Sequence, residues 1–256
     1  MTHDIILLIT GFVVGSMNAI AGGGMLVGFP VMVLLGTPAI IANASSSVIN
    51  IPGQMTSAFV YRDYLRRAPK SFAWLLLPMI AGAFGGATML KHTSAENFEN
   101  MVPWLVLFGV ALFGLQPWLS KRFHGHLVHT TKVFQWRNLW ALLFVLLPMS
   151  FYSGYFGAGV GFMMLAFLSF TRVHNDMHTM TALKNVGAVF MATTTASCLL
   201  AGHLIDWHVA VFMAIGTVIG GYVGAHVSKR LSGRWLRIAV LIIGLSAAIY
   251  LALRQY

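Results

Sequence analysis

The chain has 256 residues, 58% of them hydrophobic and only 9% charged, against about 25% charged in an ordinary soluble domain. Its formal charge of +10 comes from 16 Lys and Arg against 6 Asp and Glu, and these basic residues crowd into short loops between long apolar runs, the pattern of the positive-inside rule. That excludes a soluble enzyme domain, gives no reason to invoke nucleic acid, and leaves an all-α polytopic membrane protein.

The first apolar segment, 5–35, is interrupted by AIAGGGMLVGFP at 19–30. Each glycine costs roughly 1 kcal/mol relative to alanine inside a helix, so the helix is expected to break there. Ala19-Ile20-Ala21 imitates a signal-peptide cleavage site, but the first four residues hold no Lys or Arg, and the segment is expected to stay in the mature chain. Clean spans follow at 39–60, 72–90 and 101–119, then a basic linker over 120–137. The second part repeats the order: a broken segment at 138–170, then spans at 177–201, 207–227 and 235–253. A run of 19 residues makes a helix of roughly 28 Å, the hydrocarbon thickness of a bilayer. The single cysteine, Cys198, lies in an apolar run and cannot form an internal disulfide.

The two parts match at a constant offset of 135. Gly22-Gly23-Gly24 falls on Gly157-Ala158-Gly159, Asn50 on Asn185, Gly85-Gly86 on Gly220-Gly221, and Gly109 on Gly244. The repeats are therefore 1–119 and 138–256, and two-fold repetition is a common plan of secondary transporters. Charge sets their relative orientation. If each broken segment crosses once, the basic loop residues divide nine to six, almost no bias. If it dips in and returns, 13 basic residues share one side and only Lys91 and Arg254 stay on the other, as the positive-inside rule requires. Three net crossings per repeat make the two repeats inverted. The glycines then form the tip of a re-entrant hairpin, tolerated at membrane depth where it is buried in protein or lines a cavity. Two full crossings, with 25–36 as a very short span, give the same charge pattern. The basic loops 61–71, 120–137, 171–176 and 228–234 are expected to be cytoplasmic and both termini periplasmic.

A half-helix starting after Gly24 presents unpaired N–H groups and the positive end of its dipole. Its counterpart after Gly159 would approach from the opposite side, and two converging helix N-termini make an anion site. Glycines also permit close helix packing, the plainer explanation for Gly82/Gly86 and Gly216/Gly220/Gly224 at four-residue spacing. Asn43, Ser47, Asn50, Gln54 and Ser57 form a polar stripe on one helix face; such a stripe can bind a ligand or tie helices together. Pro52-Gly53 weakens that helix beside Asn50. Lys184 is the one Lys or Arg left inside the membrane by this topology, and an intramembrane charge is a functional candidate. No Asp or Glu lies deep in a span, which favours an anionic substrate. The candidate substrate-binding residues are Gly22, Gly23, Gly24, Ser46, Ser47, Asn50, Gly157, Ala158, Gly159, Lys184 and Asn185.

These residues resemble the TauE/SafE sulfite exporter family, the toluene sulfonate uptake permeases. The likeness rests on AGGG followed by Pro30, on SGYFGAGVGF at 153–162, and on AGHLIDWHVAVFMAIGTVIGGYVGAHVSKRLSGRWLR at 201–237. It implies a transporter of sulfite, thiosulfate or sulfonates in a bacterial inner membrane, with no cofactor. The second tip departs from the fuller glycine run at Ala158, Val160 and Met163, and Leu165 stands where Pro30 matches. Two other readings compete. His174, Asp176 and His178, with His124, His126 and His129, have ligand-type side chains suited to a divalent metal such as Ni, although Asp176 also suits a helix cap. Ser153 and His226 suggest an intramembrane hydrolase, but a catalytic pair gains nothing from two-fold repetition.

Overall fold

The computed structural model describes residues 2–122, 136–171 and 176–228, with isolated helical positions at 242, 245, 246, 249 and 253. The span expected over 235–253 and the linker histidines 124, 126 and 129 therefore lie largely or wholly outside the described residues. Among the described residues every regular element is helical. The first repeat contains α1 (Thr2–Ile20), α2 (Met25–Leu34), α3 (Ala39–Val60), the single turn α4 (Arg62–Leu65), α5 (Phe72–His92) and α6 (Ala95–Arg122). The second contains α7 (Trp136–Tyr155), α8 (Val160–Thr171), α9 (Met177–Leu200) and α10 (Trp207–Ser228). Five of these are long and apolar enough to cross a membrane. Helix α6 starts at Ala95, before the apolar run at 101, because Ser94 caps it. The Ser94 hydroxyl accepts the Asn97 N–H at 3.3 Å, and Glu96 lies in the first turn.

The two helix breaks keep the repeat offset. α1 and α7 stop at Ile20 and Tyr155, and α2 and α8 start at Met25 and Val160. The four-residue connections close differently, however. Gly22 has φ +85° and Gly159 has φ +86°, and these two glycines do not correspond in the repeat. Both sit in the left-handed region that side chains avoid.

Side-chain contacts fix the helix directions. Along α10, Asp4 meets His208, Ser16 meets Gly220, Ser57 meets Gly221 and Tyr61 meets Ala225. Thus α1, α3 and α10 run in parallel. Helix α2 turns back on α1, where a Cβ on Gly28 would meet the Val14 side chain, and a four-residue connection leads it into α3. The α1–α2 hairpin therefore enters and leaves at the end of the bundle where α3 begins. His178 at the start of α9 stacks on Tyr61 and Tyr64 just beyond α3, with ring centroids 6.1 and 5.1 Å apart, so α9 is antiparallel to α3. Helices α5 and α7 run in parallel, Gly82 lying against Ser150 and Gly86 against Tyr155, and α5 begins where α3 ends. The two broken helices α1 and α7 consequently run in opposite directions. Arg62, Arg66, Arg67, Lys70, Lys121 and Arg122 gather at the end where α3 stops, and Asp4, Lys91, Glu96, Glu99 and Asp206 at the other.

Two helix pairs carry the closest packing, α1 with α10 and α7 with α5. Both are backbone-to-backbone. A Cβ on Gly216 or Gly220 would collide with the carbonyl of Leu8 or Phe12, and one on Gly86 or Gly154 with that of Phe151 or Ala83. In lipid the hydrophobic effect does not hold helices together, so close van der Waals approach is the main attraction. Helix α6 covers the breaks with buried Phe98, Val106 and Phe113, the last edge-on to Phe162 at 4.9 Å. Trp74, Leu77, Phe84, Trp104 and Phe144 are exposed, the outward apolar surface a lipid-facing protein needs.

Neighbouring glycines on α5 give a test. Gly86→Ala drives a Cβ into the α7 backbone and should cost about 1–3 kcal/mol. Gly85→Ala meets only the Phe151 ring at 3.4 Å and should be neutral or stabilising by up to about 1 kcal/mol. Thermal unfolding of both variants in detergent is the measurement; equal loss at both positions would refute backbone contact as the cause.

Candidate functional site

The helix breaks meet at the centre of the bundle. A Cβ on Gly161 would lie 2.6 Å from both Cα and O of Gly22, so the first tip rests on the start of α8. Beside this contact is a cavity of about 30 Å³ lined by the tips, by Ser46, Ser47, Asn50 and Gln54 of α3, and by Ala188, Ala192 and Thr195 of α9. Asn18 of α1 and Ser153 of α7, equivalent positions in the repeat, complete the wall.

The first tip is satisfied internally. Asn18 Oδ1 accepts the Gly24 N–H at 2.8 Å, and Asn18 Nδ2 donates to Asn50 Oδ1 at 2.9 Å. The Gly22 N–H goes to the Met17 carbonyl, and those of Leu26, Val27 and Gly28 return to Gly23 and Gly24. The expectation that Gly22–Gly24 offer N–H groups to a ligand thus fails for Gly22 and Gly24, because α1 itself takes those donors. Gly23 and Gly24 are buried and do not line the cavity.

The second tip is open. Gly157, Gly159, Val160 and Gly161 all line the cavity, and among the described residues their N–H groups donate to no partner. Ser153 has a side chain too short to copy the clasp that Asn18 makes. Asn50, its oxygen used by Asn18, keeps a free amide nitrogen among the described residues. Gln54 Oε1 and Thr195 Oγ1 are buried without a partner. The start of a helix, an amide and the hydroxyls of Ser47, Ser153 and Thr195 therefore lie around one small space, while the Ser46 hydroxyl donates to the Asn43 carbonyl at 2.6 Å; groups of this kind suit an oxyanion.

Besides Gly23 and Gly24, three more expected residues, Ala158, Lys184 and Asn185, fall outside the lining. Ala158 is buried within the tip. Lys184 is fully buried, and its Nζ donates to the Asn18 carbonyl in the last turn of α1. There it satisfies an orphaned carbonyl at the negative end of a helix dipole. Asn43 does the same for the other broken helix, donating to the Tyr155 carbonyl at 2.8 Å. Asn185 is fully buried with neither amide atom bonded. The polar stripe on α3 divides its labour: Ser47, Asn50 and Gln54 face the cavity, while Asn43 and Ser57 bond to α7 and α10. Asn18 was missing from the sequence-based set, and its only sequence signal was an amide in an otherwise apolar helix.

The competing sites have other occupations. Asp176 caps α9, accepting from the N–H groups of His178 and Thr179 and from the Thr179 hydroxyl. Burial raises its pKa, but those hydrogen bonds outweigh burial and leave the carboxyl below the usual carboxylate range. His174 lies outside the described residues, and His178 stacks on Tyr61 and Tyr64. Ser153 lines the cavity without a histidine in the wall; His226 Nδ1 pairs with the Tyr222 carbonyl at 2.9 Å.

Comparison with known proteins gives a consistent picture. The family model described as Sulfite exporter TauE/SafE matches residues 7–251. The chain is 25% identical to a probable membrane transporter protein of Haemophilus influenzae over 227 residues, 86% of this chain and 83% of that one. It is 25% identical to the probable membrane transporter protein ORF9 of a Sinorhizobium species, covering 96% and 90%. It is 24% identical to the probable membrane transporter protein YfcA of Escherichia coli K12, covering 93% and 85%. No solved structure matches.

Two substitutions probe the local architecture. Asn18→Ala leaves the Gly24 N–H buried without an acceptor and should cost about 1–3 kcal/mol, read as a lower unfolding temperature; an unchanged temperature would rule out the clasp. Asp176→Ala should cost about 1 kcal/mol at neutral pH. Because the folded carboxyl titrates lower than the unfolded one, this contribution is complete above the unfolded pKa and disappears as pH falls through the folded value. Wild type and Asp176→Ala should therefore converge in acid, and a gap that stays constant with pH would disprove a charge-dependent cap.

Proposed function

The chain belongs to the TauE/SafE sulfite exporter family of membrane transporters, and we propose that it moves a small sulfur-containing anion, sulfite, thiosulfate or a sulfonate, across a bacterial inner membrane by alternating access. The observation that carries this reading is the cavity at the start of α8, where the N–H groups of Gly157, Gly159, Val160 and Gly161 have no partner among the described residues and the lining also holds Asn50, Ser47 and Thr195. Backbone donors at a helix start hold an oxyanion without requiring a cation beside it. On the same measure one water occupies roughly 10–15 Å³, so a cavity of about 30 Å³ suits a compact oxyanion better than a sulfonate with a long organic tail.

The halves act as inverted repeats that rock about the contact of Gly22 with Gly161. Their opposite-running broken helices support this, as does the exchange of partners by which α1 lies on α10 and α7 on α5. The gathered basic residues support a cytoplasmic end where α3 stops, with the termini periplasmic. Lys184 and Asn185 act from behind the lining: Lys184 holds the end of α1, and through it Asn18, in place. No step in this cycle asks for bond chemistry, and the anion itself is the only ligand needed.

Thermal unfolding of detergent-purified protein with sulfite, thiosulfate, a sulfonate, a carboxylate and Ni²⁺ tests the proposal. A ligand at 100 times its dissociation constant adds roughly 2.7 kcal/mol to the folded state. At least one of the sulfur anions should stabilise the wild type and fail with Asn50→Asp, which still accepts from Asn18 but replaces the amide donor by a negative charge. Stabilisation by Ni²⁺ alone, unchanged in Asn50→Asp, would overturn the anion reading.

A further inference from the structure

We infer that the cavity accepts its anion in a singly charged form and rejects dianions, so that sulfite enters as hydrogen sulfite and carries its own proton. This rests on the anion reading above and narrows it to monoanions, which removes thiosulfate, a dianion near neutral pH, from the candidates.

Among the described residues the lining holds no Lys, Arg, His, Asp or Glu. All the donors that converge there are neutral: peptide N–H groups, amides and hydroxyls. Lys184, the one fully buried cation among the described residues, is engaged with the Asn18 carbonyl and lies outside the wall. The penalty for moving an ion out of water grows with the square of its charge, so a dianion meets about four times the cost of a monoanion of the same size. Dipoles at one helix start, equivalent to roughly half a charge, suit one negative charge and leave a second uncompensated.

The wall also offers acceptors. Gln54 and Thr195 are only 4% and 3% exposed, yet each has a buried oxygen with no partner. Gln54, a lining residue, carries an acceptor oxygen as well as its donor N–H groups. A fully deprotonated oxyanion has nothing to give such an acceptor and is repelled by it. A protonated one can donate, and a site built to bond an O–H discriminates strongly against a ligand that lacks it. The spans contain no deep Asp or Glu, and a substrate that brings its own proton needs none. Each hydrogen sulfite moved carries one proton with it.

Three probes separate charge from sulfur chemistry: sulfite, whose second proton dissociates near neutrality; sulfate, a dianion throughout the neutral range; and methanesulfonate, a monoanion of nearly the same size at every pH. Binding to the purified full chain is followed by thermal shift and by calorimetry from pH 5.5 to pH 8.5, values chosen to bracket that dissociation (about 1.5 units either side of 7). Sulfite should lose affinity about tenfold per pH unit above its own pKa. Methanesulfonate, a monoanion with no O–H to give, should bind more weakly than hydrogen sulfite and with little pH dependence, and sulfate should not bind at any pH. Sulfate binding as tightly as sulfite, or sulfite affinity that is flat or rising with pH, would overturn the monoanion inference and leave the anion site standing. If none of the three binds at any pH, the anion-transport reading falls and this inference falls with it.

Discussion

A helix that stops inside a bilayer leaves carbonyls at one end and N–H groups at the other, with no water to take them. Two such breaks lie at the centre of this protein, and much of its architecture answers the need to satisfy them. The carbonyls are met from the opposite half: Lys184 of α9 reaches the end of α1, and Asn43 of α3 reaches the end of α7. The N–H groups are treated unequally. Asn18 supplies an acceptor at the first tip, while the second tip carries Ser153 and its N–H groups have no partner among the described residues. An asparagine and a serine at matching positions thus leave the two tips with different hydrogen bonding.

The glycine-lined helix pairs serve the same end. Backbones that touch at Gly220 and Phe12, or at Gly86 and Phe151, fix α1 and α7 against α10 and α5, which cross the bundle without a break. A broken helix held so closely along its length presents its end at a defined depth. Larger residues at those positions would separate the pairs and move the tips, with no change in the lining itself.

Much of this organisation is legible in the sequence, because it follows from strong local signals. Three glycines in an apolar run stop a helix wherever they occur, and the offset of 135 shows the event twice. The polar stripe from Asn43 to Ser57 follows from helical spacing alone. What could not be read is which polar group each residue meets. Lys184 looks like an unbalanced charge until its partner, 166 residues away, is seen to be a helix end. The two tips look alike in glycine content, yet Asn18 makes one self-sufficient. The left-handed residue also differs, Gly22 in one turn and Gly159 in the other, since a four-residue connection can close at more than one glycine. Such differences arise from tertiary contacts and have no local signature.

The crossed satisfaction of the helix ends bears on how the protein is made. When the first repeat has left the ribosome, the terminal carbonyl at Asn18 has no ammonium beside it, because Lys184 is still unsynthesised. When α7 enters, by contrast, Asn43 is already waiting for Tyr155. The first hairpin must therefore wait at the membrane in an incomplete state, in water or against the insertion machinery, until α9 arrives. Neither half satisfies its own helix break without the other.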